Sequence, residues 1–125
     1  MTYKDYIIFS GDIHKGTGLA SQLGCPTINM HIDVGGPVLL PGSYIGFISN
    51  GASFRKALLY ISPYNGHYTK IESHIIDGFT IHDEEESTIK LVKKIRPHLS
   101  TNSLDELKEV IRLDIEKTKE YFKDF

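Results

Sequence analysis

The sequence is poor in the features that most readily betray a compartment, a membrane or a metal. It holds one cysteine, Cys25, so no internal disulfide can form and a reducing compartment is expected. No run of apolar residues approaches the roughly 18 needed to cross a membrane. The opening MTYKDYIIFSGD lacks the basic region and long apolar stretch of a signal peptide. A cytoplasmic protein with no membrane partner is therefore expected. Net charge is -2 and the lysines and arginines form no dense stripe, which speaks against a nucleic-acid partner. The histidines (His14, His31, His67, His74, His82, His98) are scattered without metal-ligand spacing, so no zinc site is expected from them. Internal repeats and low-complexity segments are absent as well.

What remains is an ordinary globular composition, 40% hydrophobic and 24% charged over 125 residues, long enough for one domain with a sizeable core. The first two-thirds reads as short strands: Tyr6–Ile13, Gly42–Ser49, Arg55–Ser62, Lys70–Phe79 and Ser87–Ile95. Turn signals separate them at Gly35–Pro37, Asn50-Gly51 and Asn65-Gly66. Strands at this spacing suggest a closed or nearly closed β-barrel. In TIKLVKKI, Ile89 and Leu91 share a face with either Lys93 or a residue reached by a slipped register. In IESHII, Glu72 and His74 share one face, and Ser73 and Ile75 the other. Towards the C-terminus the period changes to that of an amphipathic helix. Leu104, Leu107, Val110, Ile111, Ile115 and Tyr121 or Phe122 form a stripe expected to pack on the barrel wall. Ser103 with Glu106 makes a capping box, and Asp105 and Glu106 suit the positive end of the helix dipole.

Several stretches bear on chemistry, each with a plainer reading beside it. GDIHKGTGLASQLGCPTIN, Gly11 to Asn29, is a Gly-rich loop of the kind that cradles phosphate, or simply a hairpin loop. It is neither a Walker A loop nor a dinucleotide fingerprint. Thr27 and Asn29 are two apart and lie on one face if the segment is extended. Their oxygens are hard ligands of the kind Mg²⁺ accepts with phosphate, or they satisfy the backbone of a Pro-anchored turn. Glu72, within an apolar strand, is either a general base or one more solvent-facing glutamate. His74 is either a nucleotide contact or a packed histidine. The acidic run Asp83–Glu86 reads as a solvated loop.

Taken in order, the Gly-rich loop, LGCPTIN, LLPGSYIG, IESHII, the Arg96-Pro97 pair and SLDELKEVIRLDIEKTKEYF resemble the riboflavin kinase (flavokinase) family over nearly the whole chain, from about Phe9 to Phe122. LGCPTIN, similar to the family's Leu-Gly-x-Pro-Thr-x-Asn signature, is the most specific element. The resemblance implies a six-stranded antiparallel Greek-key β-barrel, over about 6–97, with a C-terminal amphipathic α-helix over about 103–123. It implies transfer of the ATP γ-phosphoryl group to the 5′-hydroxyl of riboflavin, giving FMN and ADP, with Mg²⁺ or Zn²⁺, in a monomer. Carried onto this chain, Glu72 is the general base, and Thr27 and Asn29 form the metal site. Gly16, Thr17, Gly18, Pro26, Thr27, Asn29 and His74 contact the nucleotide, and Arg96 lies in a loop near the flavin. The chain departs from the family pattern at Ala20 and Ser21, where Gly-Arg is usual, and at Thr101, where an aromatic usually covers the flavin. It departs again at Ile28, in place of alanine, and the family's Tyr-Gly after the Glu-x-His strand has no counterpart. These departures motivate an alternative, a flavin- or nucleotide-binding barrel with weakened turnover and a regulatory role. The chain is too short to hold, beside the barrel, the nucleotidyltransferase domain of the bifunctional enzymes, so FMN but not FAD is the expected product.

Overall fold

A computed structural model describes residues 7–16, 27–33, 40–49, 53–77, 86–100 and 103–123. Six strands appear in it: β1 (Ile7–Gly16), β2 (Thr27–Asp33), β3 (Gly42–Ser49), β4 (Phe54–Ile61), β5 (Tyr68–Ile75) and β6 (Glu86–Pro97). One helix follows, α1 (Leu104–Phe122). The strands close into an antiparallel barrel in the order β1-β2-β5-β4-β3-β6. β3, β4 and β5 form a meander, and β6 returns to lie beside β3, which is the Greek-key connection. The expected mainly β architecture with a terminal helix is therefore observed. Of the two readings of Thr27–Asn29, a Pro-anchored turn and an extended segment, the structure shows the extended one: Thr27 opens a full strand in which Ile28 and Met30 are buried.

Alternation decides what lies inside. On β5, Ile71, Ser73 and Ile75 are completely buried in the barrel, and Glu72 and His74 point the other way. On β4, Ala57, Leu59 and Ile61 fill the interior. Ile28, Met30, Tyr44, Ile48, Ile89 and Leu91 complete the same core. Ile28 is thus a packing residue. Gly46 is required by close approach: a Cβ there would drive into the Lys90 carbonyl oxygen of the neighbouring strand and against Leu59.

β6 does not keep a single register against β3. The pairing shifts between Ser43 and Tyr44 and again between Ile45 and Gly46, skipping Ile95 and Val92 on β6. This realises the slipped register: Leu91 stays inside, and Lys93 and Lys94 are both exposed.

α1 begins at its expected cap, where the Glu106 backbone N–H donates to Ser103 Oγ at 3.1 Å. Ile115 packs against Leu58 on the outer barrel wall, with Ile76, Ile95 and Ile111 around them. The expected apolar stripe is only partly used. Leu104 is 58% exposed, while Asp114 and Thr118 are buried. A cavity of about 480 Å³ lies between the helix and the barrel, with Leu107, Ile111 and Asp114 on its helix side. Among the described residues, no helix is long and apolar enough to cross a membrane.

Candidate functional site

The outer face of the barrel under α1 carries a transverse row of polar side chains. Asn29 pairs with Glu72, Glu72 with Tyr60, Tyr60 with Ser43, and Ser43 with Arg96. Directly opposed residues of antiparallel strands present their side chains on the same face. Five strands thus align these residues into a single line. A second row lies two pairs further along, on the same face, where Thr27 faces His74 and His74 faces Leu58.

Glu72 sits where the rows meet the cavity, with its side chain 23% exposed. Lys70 Nζ lies 2.9 Å from its Oε1, and His74 Nε2 lies 3.8 Å from its Oε2. On the other side of the imidazole, His74 Nδ1 is 3.1 Å from Thr27 Oγ1. Burial pushes the His74 pKa down from 6.5 to about 4, against the opposing pull of Glu72 and Asp114. The ring is therefore neutral near pH 7. With its Nε2 side towards a carboxylate, the favoured tautomer carries the proton on Nε2 and leaves Nδ1 to accept from the Thr27 hydroxyl.

Asn29 Oδ1 is buried and has no hydrogen-bond partner among the described residues. An orphaned buried acceptor costs free energy and calls for a ligand that supplies a donor or a cation. It lies in the same strand and on the same face as Thr27, so the two hard oxygens fit a divalent cation of the Mg²⁺ type. Among the described residues, no group of three or more His, Cys, Asp or Glu side chains gathers as a metal site. Gly16 ends β1 directly opposite Thr27, which brings the start of the Gly-rich loop to this point.

The far end of the row is built differently. Arg96 Nη2 donates to Asp114 Oδ2 at 2.7 Å, and Nε lies 3.2 and 3.1 Å from the two carboxylate oxygens. Ser43 Oγ donates to the same Oδ2 at 3.0 Å. This buried pair ties β3, β6 and α1 together. Arg96 lies on β6 itself, not in a loop, and its guanidinium is committed to Asp114, though the residue does line the cavity. The Tyr60 hydroxyl is hydrogen-bonded to His98 Nδ1 at the same cavity. Burial raises the Tyr60 pKa, with Arg96 acting against the rise. The cavity is thus an apolar slot, walled by Leu58, Leu107 and Ile111, with convergent polar groups at its floor.

Glu72, His74, Thr27 and Asn29 are thus brought together, with Gly16 beside them. Arg96 lies further along the row. Thr17, Gly18 and Pro26 fall outside the described residues, as do Ala20, Ser21 and Thr101. Sequence reasoning missed Lys70, Tyr60, Ser43 and Asp114. For Asp114 a signal existed: it sits at helical spacing among Leu107, Ile111 and Thr118, a polar residue in a stripe that faces the wall.

The family model described as flavokinase, riboflavin kinase, matches residues 3–122 of the chain. Among solved structures, the chain is similar to a macrolide-efflux protein from Streptococcus pneumoniae, with 20% sequence identity and a TM-score of 0.67. That match covers 90% of this chain, which spans 38% of the length of the other. The chain is also similar to riboflavin kinase from Trypanosoma brucei, with 19% identity and a TM-score of 0.58, over 95% of this chain and 81% of that one. At such identities the two structures speak for the fold.

Proposed function

The chain belongs to the riboflavin kinase family, and on that footing we propose that it transfers the γ-phosphoryl group of ATP to the 5′-hydroxyl of riboflavin, giving FMN and ADP. The observation that carries the reading is the Asn29–Glu72 pair, set beside Thr27, with Glu72 lining a cavity of about 480 Å³. That volume suits a small planar ligand with one polar arm.

In this reading the flavin ring enters the slot between Tyr60 and α1, on the side lined by Arg96, and the ribityl chain runs towards Glu72. The Glu72 carboxylate accepts the proton of the 5′-hydroxyl, which requires an approach to about 3 Å. The hydroxyl oxygen forms a bond to the γ-phosphorus, and the bond from that phosphorus to the β,γ-bridging oxygen breaks. ADP leaves with the electron pair. Thr27 and Asn29 would hold the divalent cation that riboflavin kinases use with ATP, since their oxygens suit Mg²⁺, and it would supply charge neutralisation at the phosphates. The remaining work belongs to the chain. His74 accepts the Thr27 hydroxyl hydrogen and so orients that hydroxyl. Gly16, opposite Thr27, offers backbone to the phosphates, and the family resemblance assigns Thr17, Gly18 and Pro26 to the nucleotide as well. Positioning and charge supply most of the acceleration in such transfers. A reducing, cytoplasmic setting accords with the single Cys25.

The test is direct. Purified protein is incubated with riboflavin, ATP and Mg²⁺, and the products are separated by chromatography. FMN is the expected product. Its absence, alongside measurable binding of riboflavin or ATP, would sink the kinase reading in favour of a binding barrel.

A further inference from the structure

We propose that Lys70 is a movable cation of the active site: it pairs with the Glu72 carboxylate, as the structure shows, and passes to the terminal phosphate when a nucleoside triphosphate binds. The exchange leaves Glu72 free to accept the substrate proton. This inference rests on the kinase reading above and adds a residue to it.

Three observations carry it. First, Lys70 Nζ stands 2.9 Å from Glu72 Oε1, so it occupies an acceptor position on the carboxylate that the substrate hydroxyl needs. Second, the contact is made by one nitrogen to one oxygen, and the Lys70 side chain is 36% exposed. An ammonium on a flexible four-carbon stem exchanges partners readily. Arg96 contrasts with it, being locked to both oxygens of Asp114 in a buried pair. Third, Lys70 lies opposite His31, two pairs along the β2–β5 ladder from Asn29 and Glu72 and so on the same face. It therefore flanks the orphaned Asn29 Oδ1.

The proposed attack gives the transfer its direction. A hydroxyl held within about 3 Å of Glu72 attacks a phosphorus about 3–3.5 Å further on. The oxygens of that phosphate come within the sweep of the Lys70 stem. They carry more charge than a carboxylate and draw the ammonium away from it.

Binding of ATP with Mg²⁺, measured by calorimetry without riboflavin so that no turnover occurs, tests the exchange. Lys70→Met should weaken ATP binding about tenfold, the loss of one charged hydrogen bond. AMP, which lacks the terminal phosphates, should bind equally to both proteins. Lys70→Arg should restore most of the ATP affinity. Glu72→Gln should tighten ATP binding about threefold, because it releases Lys70 from a partly exposed pair. That gain should vanish in the Lys70→Met background. A gain that persists there reflects relief of repulsion by Glu72 alone and overturns the exchange. So does an unchanged ATP affinity in Lys70→Met, or an equal loss for AMP. Thermal melts confirm that each variant is folded. Failure of the wild type to bind ATP removes the kinase reading itself. Normal ATP binding and FMN formation with the wrong pattern among the variants removes only the role of Lys70.

Discussion

Thr27 and His74 face each other across the seam between β2 and β5, joined by a 3.1 Å contact between Oγ1 and Nδ1. The two residues are 47 apart in the chain. With the imidazole buried and neutral, Nδ1 accepts from the hydroxyl; a charged ring would reverse the bond and donate to Oγ1.

Acid should therefore cost this protein stability through His74. Its pKa in the fold is about 4, below the ordinary 6.5. As pH falls from 6.5 towards 4 the unfolded chain takes up a proton that the folded one refuses, so stability drops across that window and levels off below it. The full effect is about 3 kcal/mol. Urea unfolding across this range, compared between wild type and His74→Asn, isolates it. The variant should lack this part of the slope; parallel curves would show that the buried ring is not the cause.

Removing the carboxylate at position 72 should separate chemistry from folding. Glu72→Gln keeps the size and the position on β5 but cannot take a proton. Turnover is expected to fall about 10²–10⁴-fold, the usual worth of a general base. The melting temperature should move little, since partly exposed ion pairs contribute about 0–1 kcal/mol. FMN formation at an undiminished rate would refute the assignment.

The Arg96–Asp114 pair should behave in the opposite way. Asp114 is 3% exposed and receives hydrogen bonds from Arg96 and Ser43. Asp114→Ala leaves a guanidinium with no counter-charge against the helix. A loss of about 3 kcal/mol is expected, which is roughly 10 °C in melting temperature for a domain of this size. Replacing both partners, Arg96→Met with Asp114→Leu, should recover part of the loss. Calorimetric melts of the single and double variants decide the matter.

Gly46→Ala is the sharpest test of the barrel itself. The added methyl meets the Lys90 backbone and the Leu59 side chain, and a backbone oxygen cannot rotate aside. The cost should be about 2 kcal/mol or more. Equilibrium unfolding in denaturant measures it, and a neutral substitution would mean that β3 and β6 are less closely apposed than described.

Local features were legible in the sequence because their causes are local. The capping residue Ser103 acts on an amide three residues away, and the shared face of Glu72 and His74 follows from strand alternation alone. Pairing between distant strands has no such local trace. Nothing near Tyr60 says that it will stand beside Glu72, and nothing near Ser43 points to Arg96. The strand at Thr27 was hidden by the punctuation before it. Gly24 and Pro26 read as a turn, although Ile28, Met30 and Ile32 alternate with polar residues just after them. Lys70 was passed over because a lysine on a strand ordinarily needs no partner. On α1, Asp114 and Thr118 broke an apolar stripe whose purpose is partly to hold a counter-ion for Arg96.

The polar row draws one residue from each of five strands, from Asn29 on β2 to Arg96 on β6. The β3–β4–β5 meander sets only Ser43, Tyr60 and Glu72 in line. The row is complete only when β2 and β6 have paired with the two edges of that meander. Whatever occupies the row adds its affinity to the stability of the whole barrel at once. Supply of the small molecule that settles there then governs how long each copy of the chain persists as well as how fast it works.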